Sequence, residues 1–155
     1  MSAETPLRIF IDGDACPVKD EVYAVSDRYR VPVTLVANKP LYLPPRTRVE
    51  LVVVGDSPDA ADDWIAEKVR AGDVVVTADI PLAARCLAAG ARALGTNGRE
   101  FTEESIGGAV AMRELKSQLR GAGVHTGGPR SISDKDRSRF RSKLDELVSR
   151  AVRTR

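Results

Sequence analysis

Short runs of β-branched and aromatic residues, each followed by a segment of helical period, recur along residues 7–95 and confine this chain to an α/β fold. The first run, Leu7-Arg8-Ile9-Phe10-Ile11, ends abruptly in Asp12-Gly13-Asp14. Apolar runs without alternation suit strands buried on both faces, and such strands belong to parallel sheets covered by helices. Ligands bind at the carboxyl edge of open α/β sheets, which is where both acids fall. Two carboxylates flanking a glycine that lets the backbone turn form an oxygen donor set for Mg²⁺ or Mn²⁺. The alternative is a strand end closed by an Asx-type turn before a helix.

The pattern repeats along the chain. A strand over Arg8 to Ile11 precedes a helix from Pro17 to about Tyr29, with Val18, Val22, Val25 and Tyr29 on its inner face. Val31 to Ala37 is a second strand. Asn38 to Pro45 holds three prolines, which excludes helix and makes it an exposed loop. Lys39, Tyr42, Arg46 and Arg48 give this loop a nucleic-acid-like lining, or make it a plain surface connector. Val49 to Val54 is a third strand of undetermined direction, ending in Gly55-Asp56-Ser57-Pro58-Asp59. A helix from Asp59 to about Ala71 follows, with Asp62 and Asp63 in its first turn. Acids there favour the helix dipole, but four between Asp56 and Asp63 exceed what capping needs. Val74 to Thr77, ending at Ala78-Asp79, is a fourth strand. The next helix carries Leu82, Ala83, Cys86 and Leu87 inward and stops at Gly90, and Ala91 to Gly95 is a short fifth strand. Thr102 caps a helix running to about Arg120. Ser133 to Asp136 has a capping-box spacing ahead of a last helix on Phe140, Leu144, Leu147, Val148 and Ala151.

These elements predict a three-layer α/β sandwich with a mostly parallel central sheet of about five strands and the first strand central. Residues 1–120 form the α/β domain, and residues 121–155 add a Gly-rich loop and a basic C-terminal helix packed on it. Three strands end in aspartates, so a parallel sheet brings Asp12, Asp14, Asp59, Asp62 and Asp79 to one rim. Several carboxylates within a few ångströms cannot all ionise without a cation. Two cysteines and one histidine leave thiolate or imidazole zinc sites without ligands, so any metal here is oxygen-bound. Cys16 and Cys86 read as core residues, not a redox pair. No membrane-spanning run or signal sequence appears, which points to the cytoplasm.

The net charge of +2 conceals a division: residues 1–119 carry 14 Lys and Arg against 18 Asp and Glu, and residues 120–155 carry 10 against 4. A basic tail can hold a polyanion that acids elsewhere act upon, or simply be a solvated helix face. Thr126-Gly127-Gly128-Pro129 allows backbone amides to close on an anion. With Mg²⁺ or Mn²⁺, the acid rim becomes a phosphodiester-cleaving site.

IDGDACP, DSPDAADDWI, GDVVVTADIPLA, HTGGP and the Asp136-Arg137 pair before Phe140 resemble the YaiI/YqxD family of bacterial proteins over nearly the whole chain. That family is similar to PIN-like and NYN-like nuclease domains, in which acids after the first strand, on a middle helix and after the fourth strand bind metal and cut RNA. The resemblance implies catalytic and metal-binding roles for Asp12, Asp59 or Asp62, and Asp79, with Asp14 in addition. It implies RNA as partner; the anion-closing loop and the basic tail, which are not part of the usual nuclease domain, make Thr126, Gly127, Gly128 and Arg137 the candidate substrate contacts. A haloacid-dehalogenase-like phosphatase is the rival: Asp12 as nucleophile, Asp14 as acid/base, Asp56 and Asp59 on Mg²⁺. A non-catalytic RNA-binding module is the third reading.

Overall fold

Ile9 and Ile11 point to one face of their strand and Phe10 to the other, and all three are buried to within 1% of full exclusion from solvent. A strand with two apolar faces must lie mid-sheet. The computed structural model, which describes residues 7–13, 16–43, 48–57, 59–107 and 132–153, shows β1 (Ile9–Asp12) in that position. It is followed by α1 (Lys19–Tyr29), β2 (Val33–Ala37), β3 (Val49–Val53), α2 (Ala60–Lys68) and β4 (Val74–Val76). Then come α3 (Ile80–Ala88), β5 (Arg92–Leu94), β6 (Glu100–Phe101), helical turns over 103–107, and α4 (Asp134–Arg153).

The sheet order is β3-β2-β1-β4-β5-β6. The first five strands are parallel, and β6 runs antiparallel to β5. The third strand is therefore parallel to the second. The sixth strand is absent from the sequence reading because two residues, Glu100 and Phe101, are too few to show a period.

One face of the sheet, through Ile9, Ile11, Val33, Leu35 and Val74, packs on Val22 and Val25 of α1 and on Phe140, Leu144, Leu147 and Val148 of α4. The other, through Phe10, Val36 and Val75, packs on Ala61 and Ile65 of α2 and on Leu82 and Cys86 of α3. The result is a three-layer sandwich. The four apolar residues of α4 are almost wholly excluded from water, each contributing roughly 1.5–3 kcal/mol of transfer free energy. At that scale α4 is part of the core. Gly98, with φ +88, lies against its backbone: a Cβ there would stand 2.7 Å from the Phe140 nitrogen.

Several boundaries differ from expectation. Helix α2 ends at Lys68 because Val69 is extended, and β3 is an edge strand whose Val53 is 48% exposed. The Thr102 cap is present, its hydroxyl accepting from the Ser105 amide at 3.1 Å, and the Ser133 hydroxyl accepts from Asp136 at 3.0 Å. The helix expected to reach Arg120 is seen over 103–107. Its remainder, the boundary at 120/121, Asp14, Thr126, Gly127 and Gly128 lie outside the described residues.

Candidate functional site

The chain moves from β1 outward to β3 and then crosses back to place β4 on the other side of β1. The topological switch point therefore lies between the carboxyl ends of β1 and β4, where open α/β sheets leave a crevice. Asp12 closes β1 there. Thr77, one residue past β4 and 1% exposed, donates its hydroxyl to Asp12 Oδ2 at 3.0 Å and accepts from the Asp79 amide at 2.9 Å. Asp79 in turn caps α3, its Oδ1 accepting from the Leu82 amide at 2.9 Å, with Pro81 in the first turn. A single buried hydroxyl thus links the acid of β1 to the acid that starts α3.

Gly13 has a packing reason to be glycine. Its amide donates to the Val36 carbonyl at 2.7 Å, and a Cβ would stand 2.7 Å from Leu35 Cδ1 and 2.9 Å from that carbonyl oxygen. The chain leaving β1 can hug β2 only without a side chain.

Helix α2 brings further acids from the opposite wall. Asp59 occupies its N-cap position, yet its carboxylate makes no capping bond. Asp62 is pushed up to about 7, first by burial and then by the charges of Asp79 and Asp12, a hydrogen bond with Asp79, and the charge of Asp59. Asp63 turns the other way and pairs with Arg85 at 2.8 Å, and Asp56 is exposed. Of the five acids expected at this rim, Asp12, Asp59, Asp62 and Asp79 are thus electrostatically joined. Among the described residues, no three metal-ligating side chains stand close enough to enclose an ion as they are. The donor set is purely carboxylate and suits a hard cation.

Arg137 braces this rim. Its Nη1 donates to the Pro17 carbonyl at 2.6 Å, in the loop leaving β1, and lies 3.6 Å from Glu21. On the other side the Asn38 amide donates to the Gly55 and Ser57 carbonyls, at 2.8 and 3.3 Å, joining the loops after β2 and β3. Lys39 and Tyr42 are exposed in the same connection, Tyr42 by 84%. Burial raises the Cys16 thiol and pushes Cys86 up to about 12, so both are protonated at neutral pH. Thr77 is the site residue that sequence reasoning missed: it read as the end of a strand, and only the β1–β4 pairing sets it between two acids.

Parallel strands in the order 3-2-1-4-5, with carboxylates over the switch point, define an open α/β protein whose candidate ligand edge is acidic. The chain belongs to the YaiI/YqxD family, described as uncharacterised, whose sequence profile matches residues 10–150. A UPF0178 protein of Rhodopseudomonas palustris strain CGA009 is 55% identical over 148 residues, covering 96% of this chain and 94% of its own length. Another, from Bradyrhizobium diazoefficiens strain USDA 110, is 53% identical over 152 residues, covering 98% and 91%. A third, from Rhodospirillum rubrum, is 52% identical over 150 residues, covering 96% and 100%. No solved structure matches the chain. No helix among the described residues is long and apolar enough to cross a membrane.

Proposed function

We propose that this protein is a divalent-metal-dependent phosphodiesterase acting on RNA, a PIN-like nuclease in chemistry. The observation that carries this reading is Asp62, whose carboxyl is pushed up to about 7 first by burial and then by the acids of the α3 cap, β1 and α2 at the switch point. A fold concentrates like charge in this way at a cost, and a Mg²⁺ or Mn²⁺ ion relieves it. Asp12, Asp59, Asp62 and Asp79, with Asp14, would hold the ion. When bound, it supplies Lewis acidity toward phosphate oxygens and lowers the pKa of attacking water.

The chain's own groups have separable tasks. Thr77 fixes the orientation of Asp12 by donating its hydroxyl to it, and the start of α3 by accepting from the Asp79 amide. Asp62 exchanges a proton close to neutral pH. The cations of α4 and the exposed Lys39 and Tyr42 supply phosphate attraction and a stacking surface of the kind single strands use.

The test is a melting temperature for the parent, Asp12→Asn and Asp79→Asn in chelator and in millimolar Mn²⁺. Neutralising either acid should stabilise the metal-free protein. In Mn²⁺ the order should reverse, since a ligand at a hundred times its dissociation constant adds about 2.7 kcal/mol, or about 5–10 °C in a chain of this size. RNA cleavage should fall in the same variants while RNA binding persists. Equal responses to Mn²⁺ in all three proteins refute a shared metal. Hydrolysis of a phosphomonoester without cleavage of RNA would favour the phosphatase chemistry instead.

A further inference from the structure

Strands carry their acids at one end, and the other end of the sheet has a different character. At that amino edge, Gly72, Arg92, Arg150, Ala151 and Arg153 line a cavity of about 450 Å³. This lies within the usual range for small-ligand sites. Gly72 belongs to the turn into β4, Arg92 opens β5, and the last turn of α4 brings Arg150 and Arg153 over them. Among the described residues that line it, none is a carboxylate.

The arginines are positioned rather than neutralised. Arg92 Nη1 bonds Glu100 at 3.2 Å, Lys143 lies 3.6 Å from Glu100 and 3.0 Å from Glu146, and Glu146 bonds Arg150 Nη2 at 3.1 Å. Three cations and two carboxylates in one chain leave an excess positive charge, and Arg153 adds another. Lys143 and Arg150 hold the Glu146 carboxyl below its usual range, so Glu146 stays ionised at neutral pH. A guanidinium has five N–H donors, so Arg92 and Arg150 retain donors beyond those their glutamates occupy. The carbonyl end of α4 opposes an anion with roughly half a charge. Three arginines outweigh it.

We propose that this cavity binds a phosphate-bearing ligand of mononucleotide size, in a site separate from the acid rim and independent of its chemistry. Planar guanidinium forks recognise phosphate oxygens bidentately, and three arginines lining one concave wall fit a phosphate monoester better than a lone carboxylate. The volume of about 450 Å³ matches a small molecule.

The experiment is calorimetric titration of the full chain in chelator with adenosine monophosphate, inorganic phosphate, adenosine and a short single-stranded RNA. Adenosine monophosphate should bind, inorganic phosphate more weakly, and adenosine not at all. Arg92→Ala and Arg153→Ala should each weaken binding about tenfold or more, as expected for lost charge-assisted hydrogen bonds. Arg141→Ala, which removes an exposed cation of α4 outside the cavity, should leave it unchanged, as should Asp79→Asn. Far-ultraviolet circular dichroism of each variant monitors folding, and Arg92→Lys should keep part of the affinity. The proposal is overturned if neither phosphate compound binds, if adenosine binds as well as its monophosphate, or if only the RNA binds. It is equally overturned if Arg141→Ala weakens binding as much as Arg153→Ala, since bulk charge would then suffice.

Discussion

Asp62 titrates where few carboxylates do, and that has a calculable sign. Its folded value of about 7 lies above the ordinary value near 4, so between these the folded state binds the proton more tightly than the unfolded state. The stability this contributes is complete below about pH 4 and lost as pH rises through about 7. Asp62→Asn should therefore match the parent in melting temperature near pH 4 and exceed it at pH 8 in chelator. Each kcal/mol gained appears as about 2–4 °C. A difference independent of pH would refute the assignment. Thr77 makes the complementary prediction. Thr77→Val keeps the shape but leaves the Asp79 amide without its partner and removes the donor to Asp12, costing about 1–3 kcal/mol in urea unfolding. Thr77→Ser should recover most of it. A Val variant as stable as the parent would show that the bridge contributes nothing.

At the scale of elements, the parallel core was legible because Ile9-Phe10-Ile11, Leu35-Val36-Ala37 and Val74-Val75-Val76 are unbroken apolar runs, which only a doubly covered sheet accommodates. Asp12 and Asp79 were legible at the rim for the same reason, since they follow the first and last of those runs closely. Ends of elements were less so, because tertiary partners set them. Asp73 is 1% exposed and receives both Arg8, at 2.7 Å, and the Arg70 amide, at 2.9 Å, which pulls the chain out of α2 before the expected Ala71. That ion pair joins the amino ends of β1 and β4, and nothing local in Gly72-Asp73 announces it. Gly98, in the turn between β5 and β6, is a docking point that no local pattern announces. Gly98→Ala, strained at φ +88 and placed 2.7–2.8 Å from the Arg139–Phe140 backbone, should push α4 from β6 and cost more than 1 kcal/mol. Chemical denaturation measures this, and a neutral outcome would mean that α4 is not seated on this turn.

Across the whole molecule the tail's positive excess is smaller in effect than its composition implies. Arg137 is engaged with Glu21 and Pro17, Arg139 lies 3.7 Å from Asp136, and Lys143 and Arg150 share Glu146. Lys135 and Arg141 remain exposed with no ion pair among the described residues. If single-stranded RNA is held on this face, Lys135→Ala with Arg141→Ala should flatten the salt dependence of binding by about 0.7 per cation. Arg137→Ala should act mainly through stability, and a slope changed only by Arg137→Ala would reverse this division. The position of β1 has a further consequence, for biosynthesis. The first strand to leave the ribosome is the middle one of the sheet: one side waits for Val74 to Val76, and the apolar stripe of α1 beneath it waits for Phe140 to Val148. Until β4 is made one edge of β1 has no partner strand, and until α4 is made the apolar stripe of α1 lies open, which exposes the nascent chain to aggregation. A ribosome that stalls or terminates before α4 releases a chain whose first helix has no cover.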